Sequence, residues 1–146
     1  MSLDSVATAR ILVWRETLLW FGYTIDELSI DDDDVALILD IRAHRPSSAG
    51  VKVTVHEEWY LGSELEPSIP SSEGCQLPQC SWHIDLPTLG FFRLEVDLEN
   101  WGPNHPLIHA HMPGKPGVRV ERQNLGIPEQ WLAESEALIS EPSELG

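Results

Sequence analysis

His105, His109 and His111 place three of the chain's six histidines within seven positions. They sit in the stretch HPLIHAHMPGKPGVRVER, residues 105 to 122. Imidazole changes charge near neutral pH and is a common ligand of divalent transition ions, so such a cluster suits acid–base or metal chemistry. His109 and His111 are two residues apart. On a strand both would leave the same face, about 6–7 Å apart along the backbone. An ion held by two imidazoles needs at least one more ligand, and the neighbouring strands offer carboxylates. Folding residues 106 to 123 about Lys115 puts His111 beside Arg119 and His109 beside Glu121. Matching the apolar faces of the preceding pair, with Leu98 opposite Ile108, sets Asp97 beside His109 and Glu95 beside His111. The expected metal set is therefore His109, His111, Asp97 and Glu121, with Glu95 as a further co-ligand or orienter. Such a set would leave open positions for water, as metal-assisted catalysis requires. An exposed site lacks the outer hydrogen bonds that fix ligand orientation, so at most weak binding of a divalent metal is expected and no other cofactor. The competing reading is ordinary cross-strand pairing on a solvated face, each pair contributing about 0.2–1 kcal/mol.

The elements that must position these residues are legible in hydrophobic spacing. Trp82, Ile84 and Leu86 alternate before the turn PTLG, and Phe92, Leu94, Val96 and Leu98 alternate after it. Ile108, Ala110 and Met112 repeat the pattern, as do Val118 and Val120. This predicts an antiparallel meander with one apolar face. The other face would carry His83, Asp85, Arg93, Glu95, Asp97, Leu107, His109, His111, Arg119 and Glu121. Residues 35–44 and 51–59 predict a hairpin around PSSAG, after a short strand over 23–30. The run Asp31 to Asp34 predicts a solvated turn, and 60–80 a long irregular loop. Ala7, Ile11, Trp14, Leu18 and Phe21 recur at helical steps, with Arg10, Arg15 and Glu16 off that stripe. Trp131, Leu132, Ser135, Leu138 and Ile139 do likewise behind Pro128. The fold class is α+β, a single domain over 1–146: an antiparallel sheet of about five or six strands with N- and C-terminal helices on one face.

Composition narrows the partners. A net charge of −15, from nine Lys and Arg against 24 Asp and Glu, disfavours direct nucleic-acid binding. It favours a protein partner with basic character instead. No apolar run is long enough to span a bilayer. Two cysteines do not make a disulfide framework, so a reducing, cytoplasmic setting is expected. The spacing of Cys75, Cys80 and His83 is not that of a common zinc finger, and two unrelated thiols are expected. The sheet edge and six Trp admit a homodimer.

The last third, FRLEVDLENWGPNHPLIHAH followed by a hairpin and PEQWLAESEALI, resembles TumE-like small bacterial toxin–antitoxin proteins. Those run strand, acidic-Asn turn, His-Pro, His-x-His, hairpin and terminal helix. The resemblance implies functional roles at Asn100, His105, Pro106, His109 and His111. Together with the facing carboxylate, the candidate catalytic residues are His109, His111, Asp97, Asn100 and His105. Two functions follow as expectations. One is a component of a bacterial toxin–antitoxin-like module acting through the His/carboxylate face. The other is a non-catalytic acidic immunity or inhibitor protein that grips a basic partner through residues 26–34 and 57–73.

Overall fold

An apolar stripe winds around the first helix, α1 (Leu3–Trp20), burying Leu3, Val6, Trp14 and Leu18. Gly22, at φ +85°, ends it. The Gly22 and Tyr23 amides donate to the Leu19 and Leu18 carbonyls at 3.0 and 2.9 Å, satisfying the last helical acceptors in a paired, left-handed cap. The chain then runs through β1 (Thr24–Asp32), β2 (Ala36–His44), β3 (Lys52–Leu61), β4 (Ser71–Ser72), β5 (Cys75–Leu86), β6 (Gly90–Asp97), β7 (Ile108–Met112) and β8 (Lys115–Glu121), and closes with α2 (Pro128–Ser140). These elements come from a computed structural model that describes residues 3–62 and 66–140.

The protein is α+β, as expected, but the sheet has eight strands rather than five or six. Seven lie in the order β1-β2-β3-β5-β6-β7-β8, and the two-residue β4 adds to β5. The extra strand length comes from 60–80: β5 begins at Cys75, and Cys75 and Leu77 face inward before an irregularity opposite Glu58 and Tyr60 resets the alternation to Cys80 and Trp82. Asp31 and Asp32 likewise complete β1 instead of turning, because an exposed edge strand tolerates solvated carboxylates on both faces.

One face of the sheet is apolar and carries both helices. Trp14 of α1 meets Trp82 of β5 edge-on at 5.0 Å, and Trp131 of α2 lies 6.0 Å from Trp14 and 5.9 Å from Trp82. Phe92 and Trp82 are fully buried, while Arg93 and Asp85 point the other way, as the alternation requires. Val118 and Val120 share the apolar parity yet remain exposed, since β8 is an edge strand. Leu107, expected on the polar face, is buried at the entry to β7.

A carboxylate lies inside the apolar layer. Glu57 follows Val53 and Val55 in parity and is completely buried. Arg10 grips it with two hydrogen bonds, Nε to Oε1 at 2.8 Å and a terminal nitrogen to Oε2 at 2.6 Å. The indole N–H groups of Trp14, Trp59 and Trp82 each donate to it at 2.9 Å. Arg10 is therefore part of the inward face of α1, a correction to its expected place off the stripe. Five donors satisfy the carboxylate where water cannot, which is the condition for burying a charge.

Candidate functional site: a histidine–carboxylate face

The face of the sheet opposite the helices holds five of the six histidines, with His105 beside them in the 98–107 connection, and each bonds a carboxylate. His44 pairs with Asp26 across β1 and β2 at 2.8 Å. His56 sits between Asp40 and Glu58, 2.7 Å from each. Burial alone would suppress its charge, but the two carboxylates outweigh it and hold its pKa above the ordinary imidazole value. His83 reaches Asp85, His105 reaches Asp97, and His109 and His111 both reach Glu95.

The β6–β7 register decides which carboxylate meets which histidine. Val96, not Leu98, stands opposite Ile108, so Glu95 faces His109 and Arg93 faces His111. This two-residue shift from the expected pairing preserves every inward and outward side chain. On the other side His109 does face Glu121 and Ala110 faces Val120, as expected. The hairpin turns at Pro113 and Gly114, however, and an irregularity between Ala110 and Met112 restores the register.

The expected site residues consequently fall into two neighbouring groups. Glu95, His109 and His111 converge, with one ligand atom from each lying within 4.8 Å of the others. Asp97, Asn100 and His105 form the second group. Asp97 accepts from the Asn100 amide and side chain, from Gln79, and from His105 Nε2 at 2.9 Å. Partial burial works against ionisation of Asp97, but these hydrogen bonds outweigh it and lower its pKa. The His105 and His109 rings are 5.1 Å apart, edge to face, so the two groups touch. Asp97 is thus an anchor of the 98–107 connection and does not reach His109. Glu121 is exposed on β8, outside the convergent group. Glu95 takes the place that the shifted register had reserved for Asp97.

The proton inventory of the convergent group is informative. His109 Nδ1 lies 2.9 Å from the Pro106 carbonyl oxygen, and His111 Nδ1 lies 2.8 Å from that of Pro116. A carbonyl only accepts, so each Nδ1 must carry the proton. Each Nε2 then points at Glu95 Oε1, at 2.9 Å for His109 and 3.1 Å for His111. Neutral rings would aim two lone pairs at an anionic oxygen. The arrangement needs a cation there, either additional protons or a metal ion. The hydrogen bond from His109 lowers the pKa of Glu95. Burial opposes charge on His109, yet the bonds to Glu95 and Pro106 together raise its pKa.

His109 is fully buried and His111 nearly so, so the site is less exposed than sequence reading implied. A groove of about 520 Å³ runs between residues 67–71 and 121–126 over Trp101, Leu107 and Ile108, and none of the three convergent residues lines it. Cys75 and Cys80 are buried free thiols; burial raises the Cys80 pKa, and His83 lies on the opposite face, so the three form no ligand set. Of the acids expected to grip a basic partner, Glu57 is in the core, Glu58 bonds His56, and Glu64 lies outside the described residues. No helix of the described chain is long and apolar enough to cross a membrane. No protein-family model, curated protein or solved structure matches this chain.

Proposed function

We propose that this protein holds one divalent transition-metal ion on Glu95, His109 and His111 and acts through that face of its sheet. The observation that carries the reading is the shared geometry of the two histidines. Each presents Nδ1–H to a backbone carbonyl and turns Nε2 toward the same carboxylate oxygen. Metal-bound histidines characteristically give their second nitrogen to a carbonyl or carboxylate, which fixes tautomer and ring orientation. The two histidine–carboxylate separations, 2.9 and 3.1 Å, are near the spacing of about 3 Å between adjacent ligands that each stand about 2.1 Å from an ion, and all three ligand atoms lie within 4.8 Å of one another. Two imidazoles and one carboxylate leave coordination positions open, an arrangement used for catalysis by iron, manganese and zinc. The Asp97–His105 pair beside it would supply an oriented acid–base group. The biological setting we attach to this centre is a component of a bacterial toxin–antitoxin-like module, the reading implied by the C-terminal resemblance. The acidic-inhibitor alternative is the weaker one, because Glu57 and Glu58 are already committed within the fold.

Calorimetric titration with Zn²⁺, Mn²⁺ and Ni²⁺ tests the centre. One ion per chain is expected for the wild type, with at least tenfold weaker binding in Glu95→Gln and none in His109→Ala/His111→Ala. Asp97→Asn and Glu121→Gln should keep the stoichiometry. Equal binding by wild type and the double variant, or no binding by either, would overturn the reading.

A further inference from the structure

The side of α1 turned away from the sheet is not the polar surface expected of an amphipathic helix. Leu12, Leu19 and Trp20 are 55%, 65% and 82% exposed. Thr8, Ile11, Leu12, Arg15, Glu16 and Leu19 line one shallow hollow of about 410 Å³, and Trp20 borders a second with Glu16 and Phe21. Large apolar groups gathered on one exposed face, tryptophan among them, mark an interaction surface.

The charges on that face say what covers it. Leu12 and Leu19 are seven residues apart, two turns, and so lie on one line along the helix. Arg15 and Glu16 fall about 50° to either side of that line. Both are exposed, and neither has a side-chain partner among the described residues, whereas Arg10 on the buried side grips Glu57. A leucine line flanked by a cation on one side and an anion on the other is complementary to itself. Two copies of α1 running in the same direction, related by a two-fold axis along the helix, set leucine on leucine and each Arg15 against the partner's Glu16. Copies running in opposite directions would set like charges together, so the charges select the parallel pair. We infer that this face of α1 is the interface of a two-fold homodimer, with Leu12 and Leu19 at its centre and Trp20 at one end. The sheet edges are unsuited to the task. β1 carries Asp26, Glu27, Asp31 and Asp32 and a bulge between Ile25 and Glu27, and β8 carries Pro116 between the cations Lys115 and Arg119. Charged, bulged and proline-bearing edges resist pairing between copies. A net charge of −15 also makes copies repel, so they meet where the two signs balance. The inference is independent of the metal centre on the opposite face of the sheet.

Sedimentation equilibrium across the micromolar range tests it. The wild type should approach twice the chain mass as concentration rises, and Leu12→Glu/Leu19→Glu should remain a monomer. Arg15→Glu and Glu16→Arg should each associate at least tenfold more weakly than the wild type. An equimolar mixture of those two variants should recover dimerisation, because both opposite-charge pairs re-form across the interface. A wild type that is monomeric throughout overturns the inference, as does a dimer that the leucine substitutions leave intact. Variants that associate no better mixed than alone overturn the parallel pairing. A monomer whose tryptophan emission shifts to the blue on phosphatidylcholine vesicles, with the shift lost in Trp20→Ala, assigns the face to a lipid surface and overturns the second copy as its occupant.

Discussion

Glu57 is where a single residue carries the most structural consequence. Its carboxylate ties α1, through Arg10 and Trp14, to β3 and β5, through Trp59 and Trp82. Removing it strands a guanidinium that is only 15% exposed and three indole N–H groups. Breaking a buried ion pair by deleting one partner costs about 3–5 kcal/mol. Glu57→Ala should therefore shift the urea midpoint strongly downward, and Glu57→Gln less, since the amide keeps one acceptor oxygen. A midpoint within error of wild type for Glu57→Ala would mean that Arg10 and the indoles find other partners. The residue was readable from sequence by parity alone, through Val53, Val55, Glu57 and Trp59. Arg10 was readable by its four-residue steps to Val6 and Trp14. Counting both with the surface charges followed the general rarity of buried ions, and only the assembled helix–sheet interface reverses that expectation.

At the level of elements, the hairpin joining β1 and β2 distinguishes one aspartate from its neighbours. Asp33 Oδ1 accepts from the Val35 and Ala36 amides at 2.8 and 2.9 Å, closing the turn. Those hydrogen bonds lower its pKa. A carboxyl with a depressed folded-state pKa contributes stability above its unfolded value, near 3.8, and loses it as pH falls through the folded value. Asp33→Ala should thus lower the melting temperature at pH 7, and the difference from wild type should shrink as the pH falls below about 3.8. Asp31→Asn, Asp32→Asn and Asp34→Asn should leave it nearly unchanged, because those side chains are exposed and accept no comparable bonds among the described residues. Equal effects at all four positions would show that net charge, not the turn geometry, controls this end of the sheet. A run of four identical residues carries no mark of which one caps the turn; the β1–β2 register assigns it.

Across the whole molecule, one core joins every major element. Trp14, Trp82 and Trp131 touch one another, so α1, the centre of the sheet and α2 share a single aromatic contact. Aromatic pairs in such geometry contribute about 0.5–1.5 kcal/mol beyond their buried area. The two helices and the sheet should consequently unfold as one unit. Thermal melts followed by near-ultraviolet dichroism, which sees the tryptophans, and far-ultraviolet dichroism, which sees the backbone, should superimpose. An early near-ultraviolet transition would mean that the helices leave the sheet before it melts.

Period-two alternation sufficed to place His83, Arg93, Glu95, His109 and His111 on one face and Trp82, Phe92, Leu94 and Ala110 on the other. It did so because a one-residue slip would bury charge and expose the core. The same argument is blind to a slip of two. Leu98 opposite Ile108 and Val96 opposite Ile108 have identical parity, so no pattern in the chain chooses between them. The 98–107 connection chooses, with Asp97 anchoring it through Asn100 and His105 and its own amide bonding the Leu107 carbonyl at 2.8 Å. That register brings Glu95, and not Asp97, to the two histidines. The backbone carbonyls of Pro106 and Pro116 that set their tautomers belong to no side-chain pattern and exist only in the folded chain.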